Sequence, residues 1–123
     1  MTEIEIPMKL PSLNDYINIC RRNRYEAANF KRHIEKDIGI YLQPLPRYEG
    51  LVIIEFIWTE KDHRRDLDNI CFAKKFILDA LVKCGKLRDD NRKCVMAFTD
   101  SFRTGKETKV NLRIKEYEIE RDI

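Results

Sequence analysis

The chain has 123 residues, 43% of them hydrophobic and 37% charged, with a net charge of +3. That length suits one domain with a single modest core, taken here as residues 1–123. No apolar run approaches the ~20 residues of a membrane helix, and "MTEIEIPMKL" lacks the basic start and apolar stretch of a secretory signal, so no membrane partner and a cytoplasmic address are expected.

In chain order, "TEIEIPMKL" alternates apolar and polar residues and predicts a strand. "PSLNDYI" offers Ser12 as a helix N-cap, with Asp15 three residues on. Ala27, Phe30, Ile34, Ile38 and Tyr41 fall three and four apart and predict a second helical stretch. The prolines and glycine of "QPLPRYEG" end it. "LVIIEFIW" is apolar on both faces except at Glu55, the pattern of a central strand.

Residues 67–84 read as one helix, with Ile70, Ala73, Ile77, Leu81 and Cys84 in a stripe and Gly85 at the C-terminal cap. "KCVMAFTDSF" (93–102) and "ETKVNLRIKEYEI" (107–119) predict strands joined through "RTGK" as a hairpin. The order β-α-β-α-β-β predicts an α/β or α+β fold, a small mixed sheet with helices packed on it.

The four cysteines (20, 71, 84, 94) and two histidines contain no CxxC pair, which speaks against a zinc site; disulfides are not expected in a cytosolic chain. Basic residues cluster in "RRNRY" (21–25), "FKRH" (30–33) and "KDHRR" (61–65). Such clusters suit a phosphate backbone, and a solvated face produces the same pattern. The candidates for DNA contact are Arg64 and Arg65, extended by Arg21, Arg22, Arg24, Lys31 and Arg32.

"RRDLDNI" (64–70) carries the chemistry. In extended backbone, Asp66 and Asp68 at i and i+2 point to one side and can share an ion. Hard oxygen ligands suit Mg²⁺, which keeps several waters and takes one or two carboxylates. Asp is also a favoured N-cap, and one of the two is expected to cap the helix; a cap uses one oxygen and leaves the other for metal. Lys75 lies seven residues after Asp68, close to two helical turns, on the same face and away from the apolar stripe; Lys74 is rotated by about 100° and is the weaker candidate. The ordinary partner of Lys75 is Asp79 at i+4.

"RDDN" (88–91) can supply a third acid or simply form a turn. A straight helix from 68 to 84 climbs about 25 Å. Residues 85–90 return at most about 20 Å, so Asp90 reaches Asp66 only through a tight fold-back or from a partner subunit.

Taken together, "RRDLDNI…KKFILDALVKCGKLRDDN" resembles the RusA-type Holliday junction resolvases, found largely on phages and prophages; "PSLNDYINICRRNRY" resembles the start of the phage-type members. The resemblance implies a small homodimer that binds four-way DNA junctions and nicks two strands symmetrically with Mg²⁺ or Mn²⁺. It makes Asp66 and Asp68 the first two metal-binding acids and Asp90 the third, with Asp89 as its alternative. Lys75 takes the role of the catalytic lysine, but one helical turn later than in the family's best-known form, where this chain has Phe72. That displacement keeps open a second reading, a branched-DNA-binding or regulatory module with little or no cleavage.

Overall fold

The computed structural model describes residues 1–117, so the last two residues of the strand expected over 107–119 lie outside the described part. The elements run β1 (Thr2–Ile6), α1 (Leu13–Arg22), α2 (Arg24–Leu42), β2 (Val52–Glu60), α3 (Leu67–Cys71), α4 (Lys74–Lys83), β3 (Val95–Thr104) and β4 (Lys109–Glu116). The fold is α+β, built on a four-stranded mixed sheet in the order β1-β4-β2-β3.

Each strand has a simple local cause. In β1 and β4, alternation puts Ile4, Ile6, Val110, Leu112 and Ile114 into the core and leaves Glu3, Glu5, Asn111, Arg113 and Lys115 on the opposite face. β2 lies between β4 and β3, and its Val52, Ile54, Phe56 and Trp58 are all buried. The core is one cluster, joined from the helix side by Ile38, Leu42, Ile70, Phe76, Ile77 and Leu81.

The expected hairpin is not formed. β3 pairs with β2 in parallel, β4 pairs with β2 antiparallel, and the two lie on opposite sides of β2. Their connection crosses the end of β2, where Gly105 N–H donates to the Glu60 carbonyl at 2.9 Å. A Cβ on Gly105 would stand 2.8 Å from Thr59 Cγ2, so the crossing needs the glycine. A parallel β2–β3 pair in turn requires the long crossover that residues 61–94 supply.

The first helical region is two helices. Ser12 and Asp15 make a reciprocal capping box at the start of α1. Asn23 takes extended backbone, ends α1 and caps α2 by accepting from Tyr25 N at 2.8 Å. The buried stripe of α2 runs through Ala27, Ile38 and Leu42, while Tyr41, expected inside, is exposed.

The helix expected over 67–84 is also broken. α3 stops at Cys71, and Phe72 and Ala73 form a turn before α4 begins at Lys74. Phe72 and Phe76 meet edge to face at 5.7 Å, and Tyr16 of α1 closes on both, at 5.7 and 5.5 Å. Gly85 ends the second helix with φ 73°, and Lys86 N–H returns to the Leu81 carbonyl at 2.9 Å. No helix among the described residues is long and apolar enough to cross a membrane.

Candidate metal and nucleic-acid site

The loop from 61 to 66 leaves the end of β2. Asp62 Oδ1 accepts from Arg64 N at 3.0 Å, turning the chain, and the Arg64 side chain stays 89% exposed. Arg65 turns inward. It pairs with Glu60 and donates to the Leu10 carbonyl at 3.1 Å, tying the loop to the end of β2 and to the entry of α1.

Asp66 occupies the N-cap position of α3 with extended backbone (φ −70°, ψ 153°), and its carbonyl accepts from Ile70 N at 3.1 Å. Its carboxylate makes no capping hydrogen bond. Ser12 and Asn23, by contrast, both cap with their side chains. Asp68 lies in the first turn of α3, so the pair straddles a helix start and does not share extended backbone as expected. Both aspartates are exposed, and among the described residues neither carboxylate has an ion-pair or hydrogen-bond partner. Two buried polar atoms without a hydrogen-bond partner adjoin them: Arg65 Nε and Asn69 Oδ1.

Lys75 Nζ lies 3.3 Å from Asp79 Oδ1 and 3.5 Å from Asp90 Oδ2. Residues 85–90 therefore double back to the first turn of α4, and one chain brings Asp90 to Lys75 without a partner subunit. The break at Phe72–Ala73 removes the straight-helix phase by which Lys75 was placed on the face of Asp68. The expected partner of Lys75, Asp79 at i+4, is present, and Asp90 joins it. Hydrogen bonding to Asp79, then the negative charges of Asp79 and Asp90, hold its ammonium above the ordinary lysine value. Asp89 does not join them. It accepts from Asp90 N at 2.7 Å and Asn91 Nδ2 at 3.1 Å, closing the turn.

The cationic candidates divide into two groups. Arg21, Arg22, Arg24 and Arg64 are exposed, as is Arg32, whose Nε donates to the Ala28 carbonyl at 3.4 Å. Lys31 is bound to Asp79 at 2.9 Å and Glu35 at 3.6 Å, and Arg65 to Glu60, so these two charges are neutralised within the fold.

Asp100, in the middle of β3, is not among the residues expected at the site. It accepts from the Trp58 indole at 2.8 Å and pairs with Lys74, whose ammonium lies 4.2 Å from the Phe98 ring centroid. Burial, with the Asp100 carboxylate next in effect and Asp68 a smaller influence, pushes the Cys71 thiol up, so both acids act on one sulfur. The available signal was an acid inside a strand pattern, where Asp is disfavoured without a partner.

Among the described residues no three His, Cys, Asp or Glu side chains gather closely enough to hold a metal ion, so Asp66, Asp68 and Asp90 do not form one cage. What remains is two unengaged carboxylates, at positions 66 and 68, with the partnerless Asn69 side-chain oxygen next in sequence. These hard oxygen donors fit Mg²⁺ held largely through water. No protein-family model matches the chain, and no curated protein matches it.

Proposed function

We propose that this protein is a metal-dependent endodeoxyribonuclease acting on four-way branched DNA as a homodimer. The observation that carries the reading is Asp66, an N-cap residue whose carboxylate does not cap. A favoured capping side chain at that position ordinarily closes on the helix. Here the oxygens stay available next to a second free carboxylate, Asp68. The ordered likeness of residues 64–91 to the RusA-type resolvases adds support.

In this reading Asp66 and Asp68 would hold Mg²⁺ or Mn²⁺, with Asp90 the third acid that the resemblance implies. The chemistry a metal would supply there is polarisation of the scissile phosphate and a lowered pKa of a bound water. Hydrolysis breaks the bond from phosphorus to the 3′ oxygen, leaving a 5′-phosphate and a 3′-hydroxyl. Lys75, kept cationic by Asp79 and Asp90, stabilises charge gathering on the phosphate. Arg21, Arg22, Arg24, Arg32 and Arg64 contact backbone phosphates, making binding salt-dependent and largely sequence-independent. A two-fold junction is matched by a C₂ dimer.

The test is cleavage of a labelled synthetic four-way junction beside a linear duplex, with Mg²⁺ and with EDTA. Paired symmetric nicks that need both metal and junction, and vanish in Asp66→Asn, are expected. Tight junction binding without nicks in Mg²⁺ or Mn²⁺ would replace the nuclease by a branched-DNA-binding module.

A further inference from the structure

A groove of about 430 Å³ opens beside Asp66, between the 61–66 loop and the end of β3. That volume falls in the range of small-ligand sites, ~300–1,000 Å³. Its apolar wall is Leu67, Ile70 and Phe102. Leu67, set between the two free aspartates, leaves 56% of its surface exposed, although Ile70 three residues on is 5% exposed. His63 Nε2 and Thr104 Oγ1 meet at 2.9 Å across the groove, joining the loop to β3.

The charges of the lining cancel selectively. Glu60 is taken by Arg65, and Asp62 by Arg64. Among the described residues, that leaves the Asp66 carboxylate and the exposed Arg103 guanidinium without ion-pair partners in the lining. An apolar wall of this size, with one free cation at its rim, matches a nucleotide: a base to desolvate and a phosphate to neutralise.

We propose that this groove is a subsite for a single unstacked nucleotide of the strand being cut, its base against Leu67 and Phe102 and its phosphate against Arg103. The proposal rests on the nuclease reading and names the part of the DNA that lies next to Asp66. His63 and Thr104 border the base with hydrogen-bonding groups, so the subsite also sets the nucleotide preferred at the nick.

The experiment places 2-aminopurine singly at each position flanking the branch point of a four-way junction. Its emission is read on binding in EDTA, where cutting is absent, for the wild type, Leu67→Ser, Leu67→Met and Arg103→Ala. Nicking in Mg²⁺ and in Mn²⁺ is measured in parallel. The wild type is expected to alter emission at one position, Leu67→Met to keep that signal and Leu67→Ser to lose it. Arg103→Ala is expected to weaken junction binding and to lower its salt slope by about 1, the signature of one lost phosphate contact. If no position responds, or Leu67→Ser responds as the wild type does, the subsite is overturned, and wild-type nicking leaves the nuclease reading standing. A position-specific signal in a chain that never nicks removes the nuclease reading and, with it, the subsite's place on a cut strand, leaving a groove that binds an unstacked nucleotide of the junction.

Discussion

Asp90 Oδ2 lies 3.5 Å from Lys75 Nζ, although fifteen residues and a helix separate them in the chain. The pair closes a ladder of alternating charge that runs from Glu35 through Lys31, Asp79 and Lys75 to Asp90. Asp79 is its centre. Burial works to raise the Asp79 carboxyl, but the ammoniums of Lys31 and Lys75 outweigh it and hold the group below the ordinary value.

Asp79→Asn should therefore let the Lys75 ammonium fall back toward the ordinary lysine range, read by NMR titration of its Cε protons. The stability contribution has two limbs. Asp79, depressed in the fold, stabilises above the ordinary aspartate value and loses that contribution as pH falls through its lower folded value. Lys31 and Lys75, raised in the fold, stabilise below the ordinary lysine value and lose it as pH rises through their folded values. The gap between wild type and Asp79→Asn in urea melts should be flat from about pH 5 to 9 and close at both extremes.

Ser12 and Asp66 occupy equivalent positions at helix starts and should behave in opposite ways. Ser12 Oγ accepts from Asp15 N at 3.1 Å, and Asp15 Oδ2 accepts from Ser12 N at 3.1 Å. Ser12→Ala should cost about 1 kcal/mol, as the loss of a working cap does. Asp66→Ala removes no hydrogen bond and should change stability by less than about 0.5 kcal/mol. The same substitution should abolish metal-dependent nicking. A chain as stable as wild type that binds junctions and does not cut separates chemistry from folding; a loss of about 1 kcal/mol would return Asp66 to a structural role.

The central strand, the capping box at Ser12 and the stop at Gly85 were legible because each depends on neighbours in sequence. The partner of β3 was not. "RTGK" between two apolar runs carries the composition of a hairpin, and only the crossing over Thr59 and Glu60 shows why Gly105 is there. The break at Phe72–Ala73 was hidden for a similar reason. Ile70, Ala73 and Ile77 keep helical spacing across it, while Phe72 is drawn into contact with Tyr16 and Phe76. Arg65 and Lys31 sit in clusters that suit a phosphate backbone, and a charge cluster does not show which members find carboxylates in the fold; Glu60 and Asp79 are their partners.

Asp100 gives a prediction that the sole tryptophan reports. The carboxylate accepts from Trp58 Nε1 at 2.8 Å and neutralises Lys74, whose side chain is only 16% exposed. Asp100→Ala leaves a buried indole N–H and a largely buried ammonium without their acceptor. It should cost about 1–3 kcal/mol and shift the Trp58 emission. Asp100→Asn retains an acceptor for the indole and loses only the charge facing Lys74, so its emission should stay close to wild type while its stability falls by less.

Glu35 is the buried anchor at the other end of the ladder. Its side chain is 2% exposed, between Lys83 of α4 and Lys31 of α2. Removing the anion and removing its cations are unequal changes. In Glu35→Leu, Lys83 at 58% and Lys31 at 34% exposure keep access to water, and an apolar side chain fills the site. Such replacements are often neutral or stabilising, so the expected change is within about 1 kcal/mol. Lys31→Ala with Lys83→Ala leaves the carboxylate buried with neither ammonium, which should cost about 3–5 kcal/mol. Each single lysine variant leaves one cation in place, so the double loss should exceed the sum of the two singles. Urea denaturation of the five chains measures this directly. Additive lysine effects would show that Glu35 finds water when its partners leave, and that the α2–α4 contact rests on its apolar residues alone.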